Sequence, residues 1–148
     1  EYILRFFIMK SDDILKSTSN QISLKKALNH FMDLHRNDSP EDIDFYRSQF
    51  TATIQAIYNS VGENAFKNYS NGKFSKKFHP AIFDSLMVSA YFSISQKNTL
   101  PNVSLETHLS LLADSRFKES ISKRTTDIEN IKRRISIAGH TLFGVVLE

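Results

Sequence analysis

Apolar side chains recur along most of this chain with the three- and four-residue spacing of helices buried on one side. "YILRFFIM", Tyr2 to Met9, is apolar nearly all round and reads as a short buried helix interrupted only by Arg5. After a polar "KSTSNQ" loop, Leu24, Ala27, Leu28, Phe31 and Leu34 mark a second helix that Asn37 and Asp38 stop. "SPED" opens a third. Ser39 is suited to cap it, Pro40 fits the first helical position because its missing N–H has no partner there, and Glu41 and Asp42 complement the helix dipole. Ile43, Tyr46, Phe50, Ile54, Ile57 and Val61 continue it as one stripe, and Gly62 is its expected end.

The next segment, "ENAFKNYSNGKFSKKFHP", reads as a short helical turn at Ala65, Phe66 and Tyr69, then a connection turning at Asn71-Gly72. Pro80 starts another helix, with Ile82, Phe83, Leu86, Met87, Ala90 and Ile94 along one side. Ser104 caps a helix carrying Leu105, Leu109 and Leu112, and Asp114 caps a shorter one with Phe117 and Ile121. The last helix starts at Thr125 or Thr126, where Thr126 and Glu129 fit a reciprocal capping box. Beyond Gly139, "TLFGVVLE" has strand-like composition without an evident partner strand. The pattern predicts an all-α fold, a single irregular bundle of about six or seven helices spanning 1–148.

Composition narrows the class. The four glycines and three prolines are few for a β-rich chain, and the absence of cysteine removes disulfides and thiolate metal sites and suits a cytoplasmic protein. No apolar run approaches a membrane span, so no membrane partner is expected. The chain opens on Glu1 within an apolar pattern and closes on Leu-Glu, features expected of a piece of a longer protein.

Candidate chemistry is sparse. His30 and His35 are five apart rather than four, so they do not form a helical metal pair, and the isolated glycines cannot ring a phosphate. Paired carboxylates such as Asp12-Asp13 sit in capping or surface positions. No catalytic residue, metal or cofactor is expected, and the segment is not expected to be an enzyme by itself.

The net charge of +3 is concentrated towards the C-terminus. Two basic groups are candidates for phosphate contact. Lys73, Lys76 and Lys77 interleave with Phe74 and Phe78, a mixture that single-strand binders use, although the rings can equally pin the segment to the core. Lys123, Arg124 and Arg133 belong to the last basic stretch. On a helical wheel built from Ile131, Lys132 and Arg134 fall on opposite flanks and Arg133 points away from the core. The charges therefore disperse rather than gather on one groove-reading face, and Glu129 is placed to pair with Arg133.

Five segments taken in order, "YILRFFIM", "LKKALNHFMDL", "FYRSQFTATIQAIYNSVGENAFKN", "HPAIFDSLMVSAYF" and "RFKESISKRTTDIENIKRRI", carry a resemblance. Together they resemble the helical C-terminal half of a bacterial family of unknown function that includes the N-terminal part of GmrSD-type, modification-dependent restriction enzymes. In that family the nucleotide-hydrolysing chemistry is implied to lie upstream, in a sulfiredoxin/ParB-like domain with a DGQQR-type motif that this chain lacks. The resemblance implies a non-catalytic helical domain of a restriction or phage-defence protein. Its expected partners are the upstream domain and DNA. A scaffold or oligomerisation domain is the alternative, and it predicts an exposed apolar patch around the first helix.

Overall fold

The computed structural model describes residues 1–147. Among them are eight α-helices, α1 (Tyr2–Met9), α2 (Asp12–Leu15), α3 (Leu24–Leu34), α4 (Pro40–Val61), α5 (Pro80–Lys97), α6 (Leu105–Ala113), α7 (Ser115–Ser122) and α8 (Ile128–Ala138). A hairpin of β1 (Lys67–Ser70) and β2 (Lys73–Phe78) separates α4 from α5, and a π-helical turn, Gly139–Phe143, follows α8. The fold is mostly helical, as the periodicity implies. The eighth helix is α2, a single turn whose length hides it from periodicity.

α5 is the central element. Every residue from Ala81 to Ala90 is buried, so the helix is covered on all sides and not only along the apolar face its spacing marks. Its other side carries Ser85, Ser89 and Ser93, four residues apart and buried. The Ser85 hydroxyl donates to the Ala81 carbonyl at 2.6 Å and that of Ser89 to the Ser85 carbonyl at 2.7 Å. The small side chains of Ser85 and Ser89, satisfied within their own helix, let neighbours come close, while the Ser93 hydroxyl finds no partner among the described residues. A Cβ on Gly139 would stand 3.3 Å from Ser89 Cβ and 3.2 Å from Val145 Cγ2, so the chain approaches closely here and a larger residue would push its neighbours back by a few tenths of an ångström. One apolar cluster, including Phe6, Ile57, Phe83, Leu86, Leu111 and Phe117, lies on one side of α5. A second, with Ile8, Ile14, Val88, Ile128, Ile131 and Ile135, joins α1, α2 and α8.

The helix starts follow their local signals where side-chain oxygens reach backbone amides. The Asp42 amide donates to Ser39 Oγ while the Ser39 amide donates to the Asp42 carboxylate, so α4 has a complete capping box. Ser104 accepts from the Thr107 amide, and Asp114 from the amides of Arg116 and Phe117. Backbone hydrogen bonding to Phe117 and the nearby Arg116 hold the Asp114 carboxyl below its usual range.

Three local expectations give way. The segment after Ala65 is strand β1, because its amides and carbonyls find partners in β2 across the Asn71-Gly72 turn. The start of α8 is capped at Asp127 and not by a Thr126–Glu129 box. Thr126 is instead held by a short antiparallel bridge in which its carbonyl accepts from the Ile22 amide at 3.0 Å, next to the Gln21–Asp127 pairing. The segment after Gly139 continues as the π turn. Gly144 then reverses the chain at φ 62°, and Lys97 closes the end by donating to the carbonyls of Phe143 and Gly144 at 3.3 and 2.9 Å.

Candidate interaction surfaces

The first arrangement of charge is internal. Arg5 on α1 grips Asp84 on α5 with two hydrogen bonds, Nε to Oδ1 at 3.1 Å and Nη2 to Oδ2. Arg134 on α8 donates to the same Oδ2 at 3.4 Å and to the carbonyls of Ser120 and Thr125 at 3.2 and 2.9 Å. Asp84 is 0% and Arg134 1% exposed. One carboxylate thus stands between two guanidinium groups and ties α1, α5, α8 and the α7–α8 link together. Burial lowers the Arg134 pKa to about 10, against the opposing pull of Asp84. Arg134 is therefore a core residue, where the helical wheel places it on a flank. The signal for this knot lies in two places, Arg5 alone in an apolar helix and Asp84 alone within "AIFDSLM", but nothing in the sequence pairs them.

Two histidines are also inside. His108 on α6 is 3% exposed and stacks on Phe74 with ring centroids 5.4 Å apart. Burial lowers its pKa, and His79, which precedes α5, is lowered by burial and by Arg134. Each leaves one buried ring nitrogen without a protein partner, Nε2 of His108 and Nδ1 of His79. Among the described residues no group of three or more His, Asp or Glu is placed to hold a metal ion.

The six cations singled out by sequence fall in two parts of the chain, the hairpin and the α7–α8 region. Lys73, Lys76 and Lys77 lie on β2, all exposed, and none makes an ion pair among the described residues. Phe74 is half-buried against Tyr69 and His108, and Phe78 packs on Tyr2, Phe66 and Phe83. Those rings anchor the hairpin, although Phe78 keeps 42% of its surface exposed. Lys123 and Arg124 are exposed on the α7–α8 link, where the Asn130 amide holds both carbonyls at 3.2 Å and Arg124 adopts φ 46°. Arg133 is separate. It pairs with Glu129 as the spacing predicts, donates to Asn130 Oδ1 at 3.3 Å, and faces a groove of about 760 Å³ lined by Leu15, Phe92, Ile135 and Leu147.

A different surface is apolar. On α1, Tyr2 and Ile3 are 41% and 53% exposed, and on α3 Met32 is 48% exposed. Between the two helices lies an open groove of about 470 Å³ lined by Leu4, Leu24, Leu28 and Met32, with Glu1 and Lys25 at its rim. The cause is the geometry of α3. It has an apolar stripe but no fully buried residue, since Leu24, Ala27, Leu28 and Phe31 are only partly buried against the core. No helix among the described residues is long and apolar enough to cross a membrane. No family model, curated protein or solved structure matches the chain.

Proposed function

We propose that this chain is a non-catalytic helical module that docks another folded protein domain through the outer face of α1 and α3. The observation that carries this reading is the open apolar groove of Leu4, Leu24, Leu28 and Met32 between α1 and α3, with Met32 48% exposed and Ile3 of α1 53% exposed. Covering such a face contributes roughly 25 cal/mol for each Å² of apolar surface removed from water. Large apolar side chains grouped on one side of two adjacent helices are a docking surface more often than an idle one. The resemblance to the helical part of restriction-type proteins supports a specific partner, the nucleotide-hydrolysing domain upstream in the same parent protein. In that setting the module is a support for the phage-defence chemistry of its neighbour.

Hydrogen exchange of residues 2–9 and 24–34, measured in this chain alone and in the full-length protein, tests the reading. Slower exchange in the longer protein, reversed by Ile3→Glu with Met32→Glu, is the expected result. Equal exchange in both contexts refutes docking. A concentration-dependent dimer that the same substitutions dissolve assigns the face to self-association instead.

A further inference from the structure

We infer that the β1–β2 hairpin is a DNA-contacting ribbon that enters the major groove of B-form duplex DNA. The inference is independent of the docking face on α1 and α3.

The hairpin has the shape for this role. Asn71 and Gly72 both take positive φ, 52° and 76°, which gives a tight two-residue reversal and a narrow tip. Two paired strands are about 5 Å apart, and a two-stranded ribbon fits the roughly 12 Å width of the major groove. The pairing sets Lys67 opposite Phe78 and Tyr69 opposite Phe74, so Asn68 alone faces Ser75, Lys76 and Lys77. This bulge breaks the alternation of the strand, and it is why two consecutive lysines both reach solvent. Lys73 adds a third cation next to the tip.

The charge has the sign and the freedom for it. Between Glu63 and Asp84 the chain carries four lysines and no acid. Elsewhere Lys16, Arg36, Arg47, Arg116 and the half-buried Arg133 each pair with a carboxylate, whereas the exposed Lys25, Lys26, Lys118, Lys123 and Arg124 do not among the described residues. The three β2 lysines also have no such partner among the described residues and sit on one strand, so their ammonium groups remain available together for phosphates. One face of the ribbon is held against the body at both ends, near the tip by Phe74 against His108 and at the base by Phe78 against Phe83, and this anchoring lowers the ordering cost of binding. Lysines on an exposed edge strand also discourage strand pairing between molecules. That role needs no partner, and the experiment separates the two.

Fluorescence anisotropy with a labelled 20-base-pair DNA duplex, at 50 and 200 mM salt, is the test. Three phosphate contacts predict a roughly 40-fold fall in affinity between these salts. Lys73→Glu, Lys76→Glu and Lys77→Glu together should weaken binding by at least about tenfold at 50 mM. Lys25→Glu, Lys26→Glu and Lys118→Glu remove the same charge from other exposed sites and should change it less than about threefold. An RNA duplex of the same sequence, whose major groove is too narrow for side chains to read, should bind more weakly. Absence of binding at 50 mM, an equal loss in the control variant, or equal affinity for the RNA duplex each overturns the inference.

Discussion

α4 and α5 both begin at a proline and both run for many turns, yet they are held in opposite ways. α4 has the complete local apparatus, with the Ser39–Asp42 capping box, Pro40 at its first position and acids in its first turn, but only Thr53 and Ile57 are buried. α5 has no side-chain cap at His79, and its C-terminal carbonyls end on Asn98 in the left-handed region. Its interior, from Ala81 to Ala90, is entirely enclosed. Local hydrogen bonds and dipole terms fix where a helix starts. They do not decide whether it becomes core. A helix can therefore be well specified by sequence and still lie on the surface, as α3 and the first half of α4 do.

The sharpest way to break α5 is at Asp84. Asp84→Asn leaves the buried Arg134 without a counter-charge and Arg5 with only the exposed Glu1 at 3.8 Å, an expected loss of about 3–5 kcal/mol in urea unfolding. Replacing Arg5, Asp84 and Arg134 together by apolar residues of similar size should recover most of that loss. If the triple variant is as unstable as the single one, the knot does more than neutralise itself.

Apolar truncation tests the same contrast. Leu86→Ala on α5 removes a fully buried side chain and is expected to cost about 2–5 kcal/mol. Ile43→Ala on α4, at a site 47% exposed, should cost no more than about 0.5 kcal/mol in the same assay. Ser39→Ala then probes what α4 does depend on. An expected loss of about 1 kcal/mol, concentrated as faster hydrogen exchange in the first turns of α4, would mark a helix held locally.

The pH dependence is the smallest effect. The folded-state pKa values of His79 and His108 are both lowered below the ordinary 6.5. Above about pH 6.5 both groups are neutral in the folded and unfolded chains, and they add no pH dependence. As pH falls below that value the unfolded chain takes up protons first, so stability declines until the folded-state values are passed. His108→Gln should flatten this decline in thermal melts between pH 7 and 5. An unchanged profile would place the titration elsewhere.

The short helical turn expected at Ala65, Phe66 and Tyr69 is instead the start of a hairpin. Ala65, Phe66 and Tyr69 have helical spacing, but β1 is only four residues long, too short for its period to register. Its state was settled by pairing with β2, a contact that local spacing does not express. The candidate cations fared unevenly for a similar reason. Lys73, Lys76 and Lys77 were legible as a free basic group, because an acid-free run from Asn64 to Phe83 is a sequence fact. Arg134 was not legible as a core residue. Its neighbours Lys132 and Arg133 are only half-buried, and its burial depends on Asp84, fifty positions earlier.

By itself the sequence determined most of the helices, the caps at Ser39, Ser104 and Asp114, the absence of cysteine chemistry, and the Glu129–Arg133 pair. All of these act within a few residues, where chain connectivity already brings the partners together. Only the tertiary structure decided that α5 is enclosed, that three charges meet in the core, that the basic segment is a ribbon, and that the α1–α3 face stays open. Each of those depends on which distant surfaces exclude water from one another, and the apolar pattern of a single segment is the same whether its face is covered or bare.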